Sequence, residues 1–141
     1  MAAKYYSLKD HSVIFGPVIL SGWGESGGVD IAYDEDAFAL TVGADGQGTR
    51  SANNNRAATI TLSLMASSEV NAALSALHDL DRLTPGGAPS TFFLQDRNGT
   101  TVYAAATAWI QKMPDDSRGK AVGERQWVIR TDNLAGVAGG N

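Results

Sequence analysis

Apolar and polar residues alternate with period two over most of the chain, the pattern of strands with one buried face. "ATITLSLM" (58–65) sets Ile60, Leu62 and Leu64 against Thr59, Thr61 and Ser63. "VDIAYD" (29–34) puts Val29, Ile31 and Tyr33 on one face, and "AFALTV" (37–42) opposes Phe38, Leu40 and Val42 to Ala37, Ala39 and Thr41. "HSVIFGPVIL" (11–20) is a β run interrupted at Gly16-Pro17, where a residue unable to donate predicts a bulge, bend or edge. "TFFLQD" (91–96) and "TTVYAAATAWIQKM" (100–113) flank Asn98-Gly99, a strong hairpin signal. After a polar loop at 114–123, "ERQWVIRT" (124–131) is the last strand.

The period changes once. In "SSEVNAALSALHDLDRL" (67–83), Val70, Ala73, Leu74, Leu77 and Leu80 recur at helical spacing. Ser67 or Ser68 caps the start, Glu69 suits the positive end, and "TPGGAPS" (84–90) stops the helix. Six or seven strands with one helix predict a mainly β fold, a β-sandwich or barrel with one flanking α-helix. With no repeat and no linker, residues 1–141 read as a single domain, with a long inter-strand loop at 43–57 and a flexible tail at 133–141.

Composition narrows the chemistry. There are 141 residues and no cysteines, so thiolate metal sites and disulfides are excluded. The longest apolar run, "VIFGPVIL", is far short of a membrane span, and the start lacks the apolar segment of a signal peptide, so a soluble protein made in a cytoplasm is expected. The net charge is −4 and only 18% of residues are charged. That argues against a phosphate-gripping surface and leaves room for surface meant to meet other protein.

"GESGG" (24–28) resembles the loop around a protease nucleophile. A nucleophilic Ser26 needs a base and an orienting carboxylate, and His11 and His78 are the only histidines. Too little chain precedes Ser26 to build the barrel that carries such a base, and no helix follows it as in an α/β-hydrolase. A glycine-rich loop between strands is the preferred reading, and the chain is not expected to be an enzyme. No catalytic, cofactor or metal residue is assigned. Asp34-Glu35-Asp36 lacks the spacing of a calcium loop, and "GADGQG" (43–48) lacks the Lys-Ser or Lys-Thr of a phosphate loop.

Two bland features remain. Several strands carry faces of Ala, Thr and Ser where a solvent face would carry Lys and Glu. They are either a smooth functional surface or a partly covered second face. The segment "GADGQGTRSANNNRA" (43–57) is longer than ordinary connections and suits hydrogen bonding to a neighbour, but it also fits a mobile surface loop. It lacks apolar anchors, so it is expected to be mobile alone and ordered on assembly.

Residues 41–77, "TVGADGQGTRSANNNRAATITLSLMASSEVNAALSAL", resemble the tail tube proteins of tailed bacteriophages, in particular a family from contractile-tailed phages. The order of strands, Gly-Ala-Asp-Gly loop, Thr-rich strand, helix, hairpin and the Trp-containing strand "RQWVIR" agrees along nearly the whole chain. The resemblance implies a structural virion subunit forming homohexameric rings, stacked into a helical tube that conducts DNA during ejection without binding it specifically. A tube of a type VI secretion-like or other contractile injection system is the alternative. Implied partners are further copies, with sheath, tape measure and baseplate or tail-terminator proteins, and no membrane. The implied location is the virion tail, with assembly in the host cytoplasm. The loop residues Asp45, Gln47, Arg50, Asn53, Asn54, Asn55 and Arg56 become candidate inter-ring or inter-subunit contacts. Thr59, Thr61, Ser63, Asp34 and Glu35 become candidate channel lining. A lining poor in cations agrees with passage of a polyanion.

Overall fold

A computed structural model describes residues 3–25 and 27–140. The strands are β1 (His11–Phe15), β2 (Val18–Ile19), β3 (Val29–Tyr33), β4 (Phe38–Val42), β5 (Gly48–Ala52) and β6 (Ala58–Met65). Helix α1 (Val70–Leu83) follows, then β7 (Ser90–Asp96), β8 (Val102–Lys112), β9 (Glu124–Thr131) and β10 (Ala135–Val137). The main sheet runs β2-β1-β7-β8-β9-β6-β3, with β10 also on β8; β4 and β5 form a separate two-stranded sheet. All named pairs are antiparallel.

The interruption at Gly16-Pro17 is a tight reverse turn. Phe15 faces Val18, and Gly16 has φ +58°, the first central position of a two-residue turn that favours glycine. Past β2 the chain crosses to the opposite side of the sheet. Leu20 N–H donates to Val13 O, while Met65 N–H donates to Gly22 O and Trp23 bridges Leu64. One short segment thus ties β1 to β6 and curls the sheet on itself at one corner, which lets a single sheet enclose a core.

That core follows the alternation. Ile60, Leu62 and Leu64 of β6 meet Trp127 and Ile129 of β9, Phe15 and Val13 of β1, and Phe92 and Leu94 of β7, all buried. Ala105 and Ala108 of β8 also lie in the core. Irregular pairing between Ser90 and Phe92 shifts β8 against β7, so the simple period of two fails there.

Helix α1 covers the core with Leu74, fully buried, and with the partly buried Val70 and Leu77. It begins at Val70, with Glu69 in the cap position expected for Ser67 or Ser68. Ser68 serves the turn before it: its hydroxyl donates to Ser21 O at 3.0 Å and accepts from Val70 N–H at 3.4 Å. Asn71 does more, its side-chain amide reaching Met65 O and Ser68 O at 2.9 and 3.1 Å.

The tail at 133–141 is not wholly loose. After Thr131 the chain leaves β8, bridges Arg56 at Asn133 and buries Leu134. It then returns as β10, with Ala135 opposite Ala104, in the register that β9 set at Thr131 opposite Ala108. Small residues mask this strand in the sequence, but β8 is long enough to pair with both.

Candidate self-assembly site

The segment expected as a loop at 43–57 is half hairpin. Residues 48–52 form β5 and pair with β4 from Phe38 opposite Ala52 to Val42 opposite Gly48. The turn is drawn by Gly43 N–H to Gln47 O at 2.8 Å and Gly46 N–H to Gly43 O at 3.0 Å, with Gly46 at φ +87°. Asp45 Oδ1 accepts the Gln47 N–H at 3.2 Å. The sequence hid β5 because "GTRSA" has no apolar alternation; the turn and the neighbouring strand impose the extended form.

This β4–β5 arm is exposed along its whole length. Phe38, Leu40 and Val42 share one face by strand geometry, and they are 55%, 71% and 57% exposed. An apolar face of this kind on a projecting hairpin marks an interaction surface. Sequence reasoning took these residues for an ordinary core face. The missed signal lies across the pairing: β5 brings Ala52, Arg50 and Gly48 opposite them, with no apolar side chain large enough to cover the face. Arg50 instead places its guanidinium 4.6 Å from the centre of the Phe38 ring, a cation–π contact.

The arm root is pinned by its asparagines. Asn53 donates its amide to Glu35 Oε2 at 2.7 Å and its N–H to Ala37 O at 2.8 Å. Asn53 Oδ1 accepts the Asn55 N–H and Asn55 Oδ1 accepts the Ala57 N–H, each at 3.0 Å. These bonds favour the charged Glu35 carboxylate, so the Asn53 contact first and the Asn55 contact second hold its pKa below the ordinary 4.5, against a small opposing effect of burial. Arg56 faces the other way, fastening the C-terminal crossing: its guanidinium donates to Leu134 O at 3.3 Å, and its own carbonyl accepts the Leu134 N–H at 3.1 Å. Among the expected contact residues, Asn53, Asn55 and Arg56 therefore brace the chain itself, while Asp45, Gln47, Arg50 and Asn54 are exposed on the arm and its base.

The expected lining residues divide. Thr59 and Thr61 lie half-buried on the non-core face of β6, with Arg130 and Val128 of β9 opposite them. Asp34 joins them, accepting from the Thr59 hydroxyl at 3.0 Å and pairing with Arg130. Its charge is thereby largely balanced. Glu35 sits with the arm root instead. Ser63 shares the period of Thr59 and Thr61 but is covered, being only 6% exposed. The glycines on either side of the Ser26 position lie against Ser63: Gly24 N–H donates to Ser63 O and Ser63 N–H to Gly28 O, both at 2.9 Å, and Gly27 packs against the Ser63 side chain. Alternation assigns a face; it does not show what lies over it. Ser26 itself lies outside the described residues. Of the two histidines, His11 lies 3.7 Å from the buried Asp96 and His78 is buried on α1.

Comparison with known proteins gives a consistent picture. Residues 13–139 match the family of the bacteriophage PhiTE tail tube protein. Structural protein ORF10 of Pseudomonas phage KPP10 is 32% identical over 123 residues, spanning 86% of this chain and 71% of that protein. The fold is similar to the tube-terminating cap of the anti-feeding prophage, with TM-score 0.62 and 14% identity over 97% of this chain and 94% of that one. It is equally similar to the sheath/tube terminator of the extracellular contractile injection system PVC in its extended state, with TM-score 0.62 and 15% identity over 97% and 100% of the two chains. A chain of the PVC sheath–tube complex has TM-score 0.59 and 13% identity over 94% and 90%. At these identities the likeness is one of fold.

Proposed function

The chain belongs to the bacteriophage PhiTE tail tube protein family, and from that premise we propose that it is a structural, non-enzymatic subunit that assembles with copies of itself into stacked hexameric rings around a DNA channel. The observation that carries this reading is the β4–β5 arm, a paired hairpin whose apolar face is exposed. Burying Leu40 and Val42 against another subunit supplies about 1.5–3 kcal/mol for each side chain fully covered. Asp45, Gln47, Arg50 and Asn54 then act as polar contacts on and around the arm.

The bore is assigned to the non-core face of β3, β6 and β9. Thr59 and Thr61 offer hydroxyls, and the Asp34–Arg130 pair is close to neutral, so the surface neither grips nor strongly repels a polyanion. The exposed Asp30, opposite Thr61, tilts it towards negative charge. Strand β3 ends the main sheet, and pairing its outer edge with a neighbour would extend the sheet around the bore and hide that edge.

A second reading, a tube component of a contractile injection system, is favoured by the fold likeness to sheath/tube terminators. Isolation from particles that contain DNA separates the two. Sheath, tape measure, baseplate and terminator proteins are the partners either reading requires; the virion tail is the location under the first. The decisive experiment is light scattering across a concentration series with negative-stain microscopy. Rings or tubes are expected, and a strict monomer at every concentration overturns self-assembly.

A further inference from the structure

The connection between β8 and β9 folds against the turn after β6, and together they form a cleft lined by Ser67, Asp116, Arg118, Lys120, Val122 and Arg125 among others. Arg125 NH2 lies 3.3 Å from Asp116 Oδ1, and Arg118 NH2 lies 3.3 Å from Asp116 Oδ2. Two arginines thus share one lining carboxylate, with Lys120 as a third cation of the lining, in a protein whose net charge is −4. The Arg125 side chain is only 21% exposed, and its Nε is buried with no acceptor. Beside these charges the same lining carries an exposed apolar residue, Val122.

The tip of the β4–β5 arm carries the complementary pattern. Asp45 is exposed and is the only charged residue between Gly43 and Thr49. The exposed Val42 and Leu40 lie on the strand just behind it. Neither the cleft nor the tip matches itself, so a contact between them is heterologous: each copy offers both halves, and the contact propagates into rings or tubes.

We propose that this cleft receives the arm tip of a second copy, the Asp45 carboxylate meeting Arg125 and Arg118 while Val42 and Leu40 cover Val122. The proposal rests on the self-assembly reading above and names the surface that the arm seeks. The Asp45 carboxylate adds a second acidic partner for arginines that otherwise share Asp116, and the apolar contact holds the strand beside the ion pairs.

Charge reversal tests it. Asp45→Lys, and separately Arg118→Asp with Lys120→Asp, should each raise the protein concentration needed for assembly about tenfold or more, the scale of a lost interfacial charge contact. All substituted positions are exposed, so thermal unfolding of the subunits should be unchanged. Mixing the two variants should restore assembly, because each arm then finds a cleft of opposite charge. Carbodiimide treatment of mixed light and heavy wild-type copies should join Asp45 of one copy to Lys120 of another, read by mass spectrometry. If wild-type protein assembles while both variants assemble equally well and no such link forms, this docking is overturned and self-assembly stands. If the cleft variant fails and the mixture does not rescue it, the cleft takes some other anion and the pairing is overturned. A wild-type chain that stays monomeric overturns both.

Discussion

The indole N–H of Trp127 donates to Asn71 Oδ1 at 2.9 Å, joining the centre of β9 to the first turn of α1. Trp127 is fully buried and Asn71 nearly so. The same asparagine amide holds the carbonyls of the turn between β6 and α1. One side chain therefore sets where the helix starts and how it sits on the sheet.

Asn71→Ala removes the acceptor of a buried indole and the donor to three turn carbonyls, those of Met65, Ala66 and Ser68. A stability loss of about 1–3 kcal/mol is expected in urea unfolding. Trp127→Phe should cost a similar amount, and the double variant should cost less than the sum because both changes remove one bond. Strict additivity would show that the pair does not act as a unit.

Leu40→Ser with Val42→Ser should leave subunit stability within about 0.5 kcal/mol of wild type, since both side chains are exposed. Assembly by light scattering should be abolished. Unfolding of the subunit by these changes would mean that the arm packs on its own chain.

The free arm should exchange its amides faster than β6 or β9, because no arm residue is buried. On assembly, protection over residues 38–52 should rise. Equal protection in both states would contradict the role given to the arm.

Acid should loosen the arm root. Hydrogen bonds lower the folded pKa of Glu35 below the ordinary 4.5, so its contribution is present above the ordinary value and is lost as pH falls through the lowered one. The Asn53 side-chain amide resonances should follow a titration with its midpoint below 4.5, and Glu35→Gln should abolish it. A midpoint above 4.5 would contradict the geometry.

Gly136 lies opposite Tyr103 across the β10–β8 pair, and a Cβ at Gly136 would come within 2.3 Å of the Tyr103 ring. Gly136→Ala should therefore cost about 1–3 kcal/mol by overpacking. Amide exchange should place the loss at β10. Unchanged protection there would mean that the tyrosine yields freely.

Most of this fold was legible where the local pattern and the partner agreed. β6 and β9 coincide with "ATITLSLM" and "ERQWVIRT" because both bury one face on the same core. The hairpin at Asn98-Gly99 follows from turn chemistry: Asp96 N–H donates to Thr101 O, and Asp96 Oδ1 accepts the Asn98 N–H. β5 and β10 were illegible because each is extended on account of its neighbour; neither "GTRSA" nor "AGV" has a periodic signal of its own. The candidate site was harder still. Phe38, Leu40 and Val42 alternate like core residues, and only the poverty of the strand facing them reveals that they are bare. Asp34 looked like free negative charge until the sheet brought Arg130 across to it.

Ser63 holds both ends of the excursion at 24–28, one through its carbonyl and the other through its N–H. Because a single backbone unit fixes the exit and the return, the number of residues between them is decoupled from the pairing of Trp23 with Leu64 and of Val29 with Leu62. Length changes between Gly24 and Gly28 should therefore leave the strands on both sides in place and be felt over Ser63, on the face of β6 that Thr59 and Thr61 share.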